Sequence, residues 1–136
     1  VSLTEPFPYG LLRSRNTWDR LIKRYGDLAL LRQPGQPDLF VSYMFASVTP
    51  AERLGGVSNP LDKKVLVSAI DPNTQAPLAR DPSERDVIVT IELNDDGSPV
   101  IVNGNHVEDE LFKLYTPPGL AGPSRKQLYW RLFVRS

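Results

Sequence analysis

"DVIVTIELNDDGSPVIVNG", residues 86–104, is the stretch that decides the fold class of this chain. Residues 87–91 are all β-branched, a composition that suits a pleated strand and resists a helix. Asn94-Asp95-Asp96-Gly97 then supplies the residue types of a tight turn, and a second apolar run follows at 98–104. The pattern predicts a β-hairpin of 86–93 and 98–104. Downstream, "NGN" marks a second break, and "HVEDELFKLY" (106–115) fits either a strand or a short helical turn. "TPPGLAGPSR" reads as a loop, and "KQLYWRLFVRS" as a closing strand in which Leu128, Trp130, Leu132 and Val134 alternate. Upstream, "DLALLR" (27–32), "LFVSYMFASV" (39–48) and "KKVLVSAI" (63–70) are further strands. Both faces of 39–48 are largely apolar, so one of them needs a helix or a neighbouring subunit to cover it. Thirteen prolines fall mostly between these apolar runs and punctuate them. The stretch 71–85, with three of those prolines and no periodicity, reads as a long surface loop.

One helix is expected, over "NTWDRLIKRYG" (16–26). Asn16 can cap it, Trp18, Leu21, Ile22 and Tyr25 form one apolar stripe, and Gly26 can end it in the left-handed region. Before it, residues 1–15 read as an extended arm. The expected architecture is therefore mainly β: a small β-barrel or sandwich of six to seven strands, one N-terminal helix and long loops, in a single domain over 16–136. Arg13, Arg15, Arg20, Lys23 and Arg24 concentrate positive charge around the helix, a solvated face or a contact for an acidic partner or DNA phosphates.

Sixteen basic and sixteen acidic residues balance, so bulk charge argues for neither nucleic-acid nor membrane binding. No window is apolar enough for a membrane span, and the first residues lack the pattern of a secretion signal. With no cysteine, disulfides and thiolate metal sites are excluded. His106, the only histidine, has neither the ligand-rich spacing of a metal site nor a G-x-S-x-G nucleophile to serve. Asp95-Asp96 sits where a turn wants those residues. Phe40, Tyr43 and Phe45 read as core rather than as a base-stacking platform.

The remaining feature is "TPAERLGGVSNPLDKKVLVSAID" (49–71). Gly55-Gly56 is no Walker A loop, because the lysines come seven residues later and enter a strand. The glycines instead suggest backbone freedom in a connection long enough to have a purpose.

Several segments, in order, resemble the head-closure (stopper) proteins of tailed phages and phage-derived gene transfer particles. They are the helix-to-strand junction "RLIKRYGDLALLRQPG", the Pro-Ala-Glu, Leu-Gly, basic-pair and Val-rich pattern of "VTPAERLGGVSNPLDKKVLVSAID", "RDVIV" with the later Val-Asn-Gly, and the closing "LYWRLFVRS". The second segment carries most of the likeness; Arg85 stands where the family has Gly, and 71–85 and 91–99 are longer. The resemblance implies a non-enzymatic virion subunit, made in the host cytoplasm, without cofactor or metal. It would form a ring of 6 or 12 copies in the neck, with portal and adaptor proteins above and a tail terminator or tail protein below. That ring would close the channel on packaged double-stranded DNA, without sequence specificity, and offer the tail a docking surface. It further implies that the connection between the second and third strands is the gate: here Arg53, Leu54, Gly55, Gly56, Val57, Ser58 and Asn59. Arg13, Arg15, Arg20, Lys23 and Arg24 would face neighbouring subunits or the adaptor. The alternatives are another neck component, an adaptor or tail terminator, or a small β-barrel nucleic-acid binding module.

Overall fold

A computed structural model describes residues 21–22, 26–57, 59–126 and 128–136. The proposed arm, most of the 16–26 helix, Arg13, Arg15, Arg20, Lys23, Arg24 and Ser58 lie outside the described residues. Leu21 and Ile22 are helical, and the Gly26 N–H donates to Ile22 O at 2.9 Å, a helix-closing bond. Gly26 does not adopt the left-handed conformation expected of it. Its lack of a side chain serves close approach instead, since a Cβ would meet Ile22 O at 2.3 Å and Tyr43 O at 2.7 Å.

Nine strands follow among the described residues: β1 (Asp27–Arg32), β2 (Leu39–Ala46), β3 (Lys63–Ser68), β4 (Val87–Ile91), β5 (Ile101–Val102), β6 (Asn105–His106), β7 (Glu108–Tyr115), β8 (Ser124–Lys126) and β9 (Tyr129–Arg135). One short helix, α1 (Pro50–Leu54), lies between β2 and β3. The main sheet runs β3-β2-β1-β4-β7-β9-β8, and an added β3–β9 pairing joins its two sides. Six strands thus pair in a closed antiparallel circuit, a small barrel, with β8 as a flap on β9. β9 serves three neighbours: β3 along its length, β7 at Phe133–Arg135 and β8 at Tyr129–Arg131.

Alternation fills this circuit. Ala29, Leu31, Val41, Tyr43, Val65, Val67, Ile88, Phe112, Leu114, Leu132 and Val134 form one buried cluster drawn from all six strands. Residues of opposite parity make a second cluster outside, Leu30, Val89 and Ile91 with Phe40, Val87 and Leu93. This accounts for the doubly apolar β2: Tyr43 joins the inner cluster and Phe40 the outer one. Phe40 thus lies on the face opposite Tyr43 and Phe45, whose rings meet edge-on at 5.6 Å, and Phe45 is exposed where core was expected.

The hairpin expectation is met in part. Asn94 donates to Ser98 O at 2.8 Å, Gly97 takes φ 87°, and Leu93 bridges Pro99. The returning strand is brief, because the chain breaks into a second tight hairpin, β5–β6, turned by Asn103 (φ 53°) and Gly104 (φ 79°). Residues 108–115, left open by pattern, are a strand. The loop 71–85 is long as expected but ordered around Asp86, which is buried and accepts from Ser83 N, Ser83 Oγ and Gln33 Nε2.

Candidate functional site

The β2–β3 connection is no open glycine loop. Thr49 sits extended (φ −77°, ψ 159°) at the N-cap of α1, and its hydroxyl accepts from Glu52 N at 3.2 Å. The Glu52 carboxylate reaches back to Thr49 N at 2.9 Å, completing a capping box, and Pro50 suits the first turn. That same carboxylate is buried on the barrel wall. It accepts from Lys64 Nζ of β3 at 3.0 Å and from Arg131 Nη1 of β9 at 3.2 Å. Burial alone would push its pKa up. Thr49 and Lys64 outweigh that, and the carboxyl lies below its ordinary value.

Two further carbonyl bonds wind the chain past the helix: Gly55 N to Ala51 O at 3.0 Å and Gly56 N to Arg53 O at 3.1 Å. Val57 N then bonds Glu52 O, and its side chain is fully buried. Gly55 and Gly56 are pressed against the 117–120 loop. Gly119 N donates to Gly55 O at 2.6 Å, and a Cβ on Gly55 would lie 2.5 Å from Leu120 Cγ. Gly56 uses the backbone freedom expected of the pair, at φ 117°, and both glycines also serve close packing against this loop.

The far end of the connection is tied by a second carboxylate. Asp62 is buried, accepts from Tyr115 Oη at 2.9 Å, and receives Arg135 through Nε at 2.9 Å and Nη2 at 3.0 Å. Burial first, and then the bond to Asp62, push the Tyr115 hydroxyl up to about 12. The Arg135 guanidinium lies over the Tyr115 ring, 4.0 Å from its centre. Lys63 Nζ stands over the Phe45 and Phe112 rings at 4.8 and 5.5 Å. Both lysines of the basic pair are thereby held by their own barrel.

Between the two tethers the tip is presented outward. Leu54 is 92% exposed and Leu61 71%, with Arg53 and Asn59 exposed as well. The Asn59 side chain accepts from Leu61 N at 2.9 Å, shaping the turn that returns to β3. Of the residues named from sequence, Arg53, Leu54 and Asn59 face solvent, Val57 is core, and Gly55 and Gly56 are packing points. Glu52, Asp62, Arg131, Arg135 and Tyr115 were not foreseen. Only Glu52 had a legible signal, the Thr-x-x-Glu spacing from Thr49.

Asp96, Glu108 and His106 have structural neighbours, although His106 Nδ1 is buried without a hydrogen-bond partner. Asp96 accepts from Ser98 N and Oγ in the turn, and Glu108 pairs with Arg32 at 2.9 Å. His106 meets Phe40 edge-on, with ring centres 4.8 Å apart. Among the described residues no helix is long and apolar enough to cross a membrane. Comparison with protein-family models, curated proteins and solved structures finds no match.

Proposed function

We propose that this protein is a structural neck subunit of a tailed phage or related particle. In this reading it is a non-enzymatic stopper that assembles as a ring of 6 or 12 copies between portal and adaptor and the tail. The ring closes the channel on packaged double-stranded DNA and gives the tail its docking surface. The observation that carries the reading is the β2–β3 connection. It is locked to the barrel wall at Glu52 and Asp62, yet it holds Leu54 and Leu61 out in solvent. A segment braced this firmly, with apolar side chains at its tip, is suited to press against another surface rather than to bind a small molecule. It also coincides with the stretch whose residue pattern most resembles the stopper family. The exposed part of the gate is then Arg53, Leu54 and Asn59.

A chain of zero formal net charge suits a channel wall, since a lumen rich in free Lys and Arg would hold DNA by counterion release. Lys64 is paired with buried Glu52, which supports keeping its charge from that role.

Native mass spectrometry and electron microscopy of the full chain test the reading. A channelled ring, alone or with portal and tail proteins, is the expected result. Particles carrying Leu54→Ser with Leu61→Ser should lose packaged DNA faster than wild type. A protein that stays monomeric and binds short single strands with steep salt dependence would instead be a nucleic-acid module. Cutting out 53–59 is a poorer probe, because it removes buried Val57 and the Gly55 contact with Gly119.

A further inference from the structure

Beneath α1, on the outer barrel wall, lies a cavity of about 480 Å³. Ala46, Ala51, Leu66, Leu120 and Tyr129 give it apolar walls, and Lys64, Arg131, Lys126 and Glu52 supply its charge. Three cations face one carboxylate, which leaves a surplus of two positive charges. Glu52 is spent on Lys64 and Arg131, whose side chains are only 14% and 17% exposed. Arg131 Nε is buried with no acceptor, an uncommon condition for a guanidinium N–H. Lys126 is exposed and has no ion-pair partner among the described residues.

We propose that this cavity binds an amphipathic carboxylate: one carboxyl group on an aliphatic or aromatic body. The apolar walls take the body, and Lys126 takes the charge, with the remaining donors of Lys64 beside it. The size lies within the range of about 300–1,000 Å³ typical of small-ligand sites. A phosphate fits less well. Two of the three cations are already shared with Glu52, so the free donors match a single negative charge better than two. The carboxylate has two possible sources, a free organic acid or an acidic residue flanked by apolar side chains in a partner polypeptide. The proposal does not depend on the neck reading, and either can fail without the other.

The test is an amide-resolved NMR titration of the full chain with octanoate, octanol and the peptide acetyl-Leu-Glu-Leu-amide. Saturable shifts at 46–52, 64–66 and 129–131 with octanoate or the peptide, but not octanol, are expected. Octanoate alone assigns the free acid as the source; stronger binding of the peptide assigns a partner's side chain. Lys126→Met, on an exposed side chain, should weaken that binding about five- to tenfold, the loss of one charge-assisted contact. Ala51→Phe, which fills the cavity from an exposed helix position, should abolish it while the remaining spectrum stays native. Octanol binding as tightly as octanoate, or affinity unchanged in both variants, overturns the proposal. No saturable shift with either carboxylate overturns it too.

Discussion

At Gly56 the backbone takes φ 117°, and a Cβ there would lie 2.4 Å from Pro118 Cδ. Both facts exclude any other residue in this conformation, one through backbone strain and the other through overlap. The neighbouring Gly119 is equally confined, with a notional Cβ 2.9 Å from Gly55 Cα. Gly56→Ala should therefore destabilise the folded protein by about 1–3 kcal/mol. A fall of several degrees in the thermal midpoint is the measurable outcome. A pure hinge would behave otherwise, with the midpoint unmoved and only the switching impaired. Pro117, fully buried against the same glycines, completes a contact between segments sixty residues apart, which no local reading of Gly-Gly contains.

At five residues, α1 is far below the length at which a helix is stable in isolation. It persists because the capping box closes its first turn and Glu52 fastens it to β3 and β9. Glu52→Gln keeps the size but leaves Lys64 and Arg131 without their anion. A loss of about 2–4 kcal/mol at neutral pH is expected, read from urea unfolding. The pH dependence follows from the lowered folded pKa of Glu52. Its contribution is complete above the unfolded carboxyl range, near about pH 4.3, and disappears as pH falls through the folded value. The gap between wild type and Glu52→Gln should consequently narrow in acid. A gap independent of pH would remove the ion pairs from the explanation. The long 71–85 loop makes a comparable point: Asp86, at the entry to β4, organises it through Ser83 and Gln33.

For the whole molecule, stability rests on the closed circuit, because each of its six strands contributes to one interior cluster. Leu132 is 1% exposed on β9, the strand that joins β3 to β7. Leu132→Ala should cost about 2–5 kcal/mol by loss of apolar contact and by the cavity left behind. The urea midpoint should shift with little change in slope, as for a two-state domain. Leu54→Ala, at a 92% exposed position, should leave that midpoint within error. If both variants behaved alike, the barrel interior would not be the cooperative unit.

Strand positions were legible because their cause is local. β1 spans the expected 27–32, and β2, β3 and β4 begin within one residue of where alternation and β-branching place them. The 98–104 return was overestimated, since Asn103-Gly104 turns the chain again and period-2 patterning does not report which strand a segment will face. Residues 108–115 were undecided for a related reason: their acidic first half carries no face preference until β4 supplies a partner. Sequence by itself determined the mainly-β class, the turns and the balanced charge, all properties of neighbouring residues. Only the tertiary structure decided closure of the circuit, the tethering of 49–64 by Lys64, Arg131, Tyr115 and Arg135, and the packing of Gly55-Gly56 on 117–120. Those contacts join residues 12 to 79 positions apart, and spacing along the chain holds no record of which buried carboxylate will meet which cation.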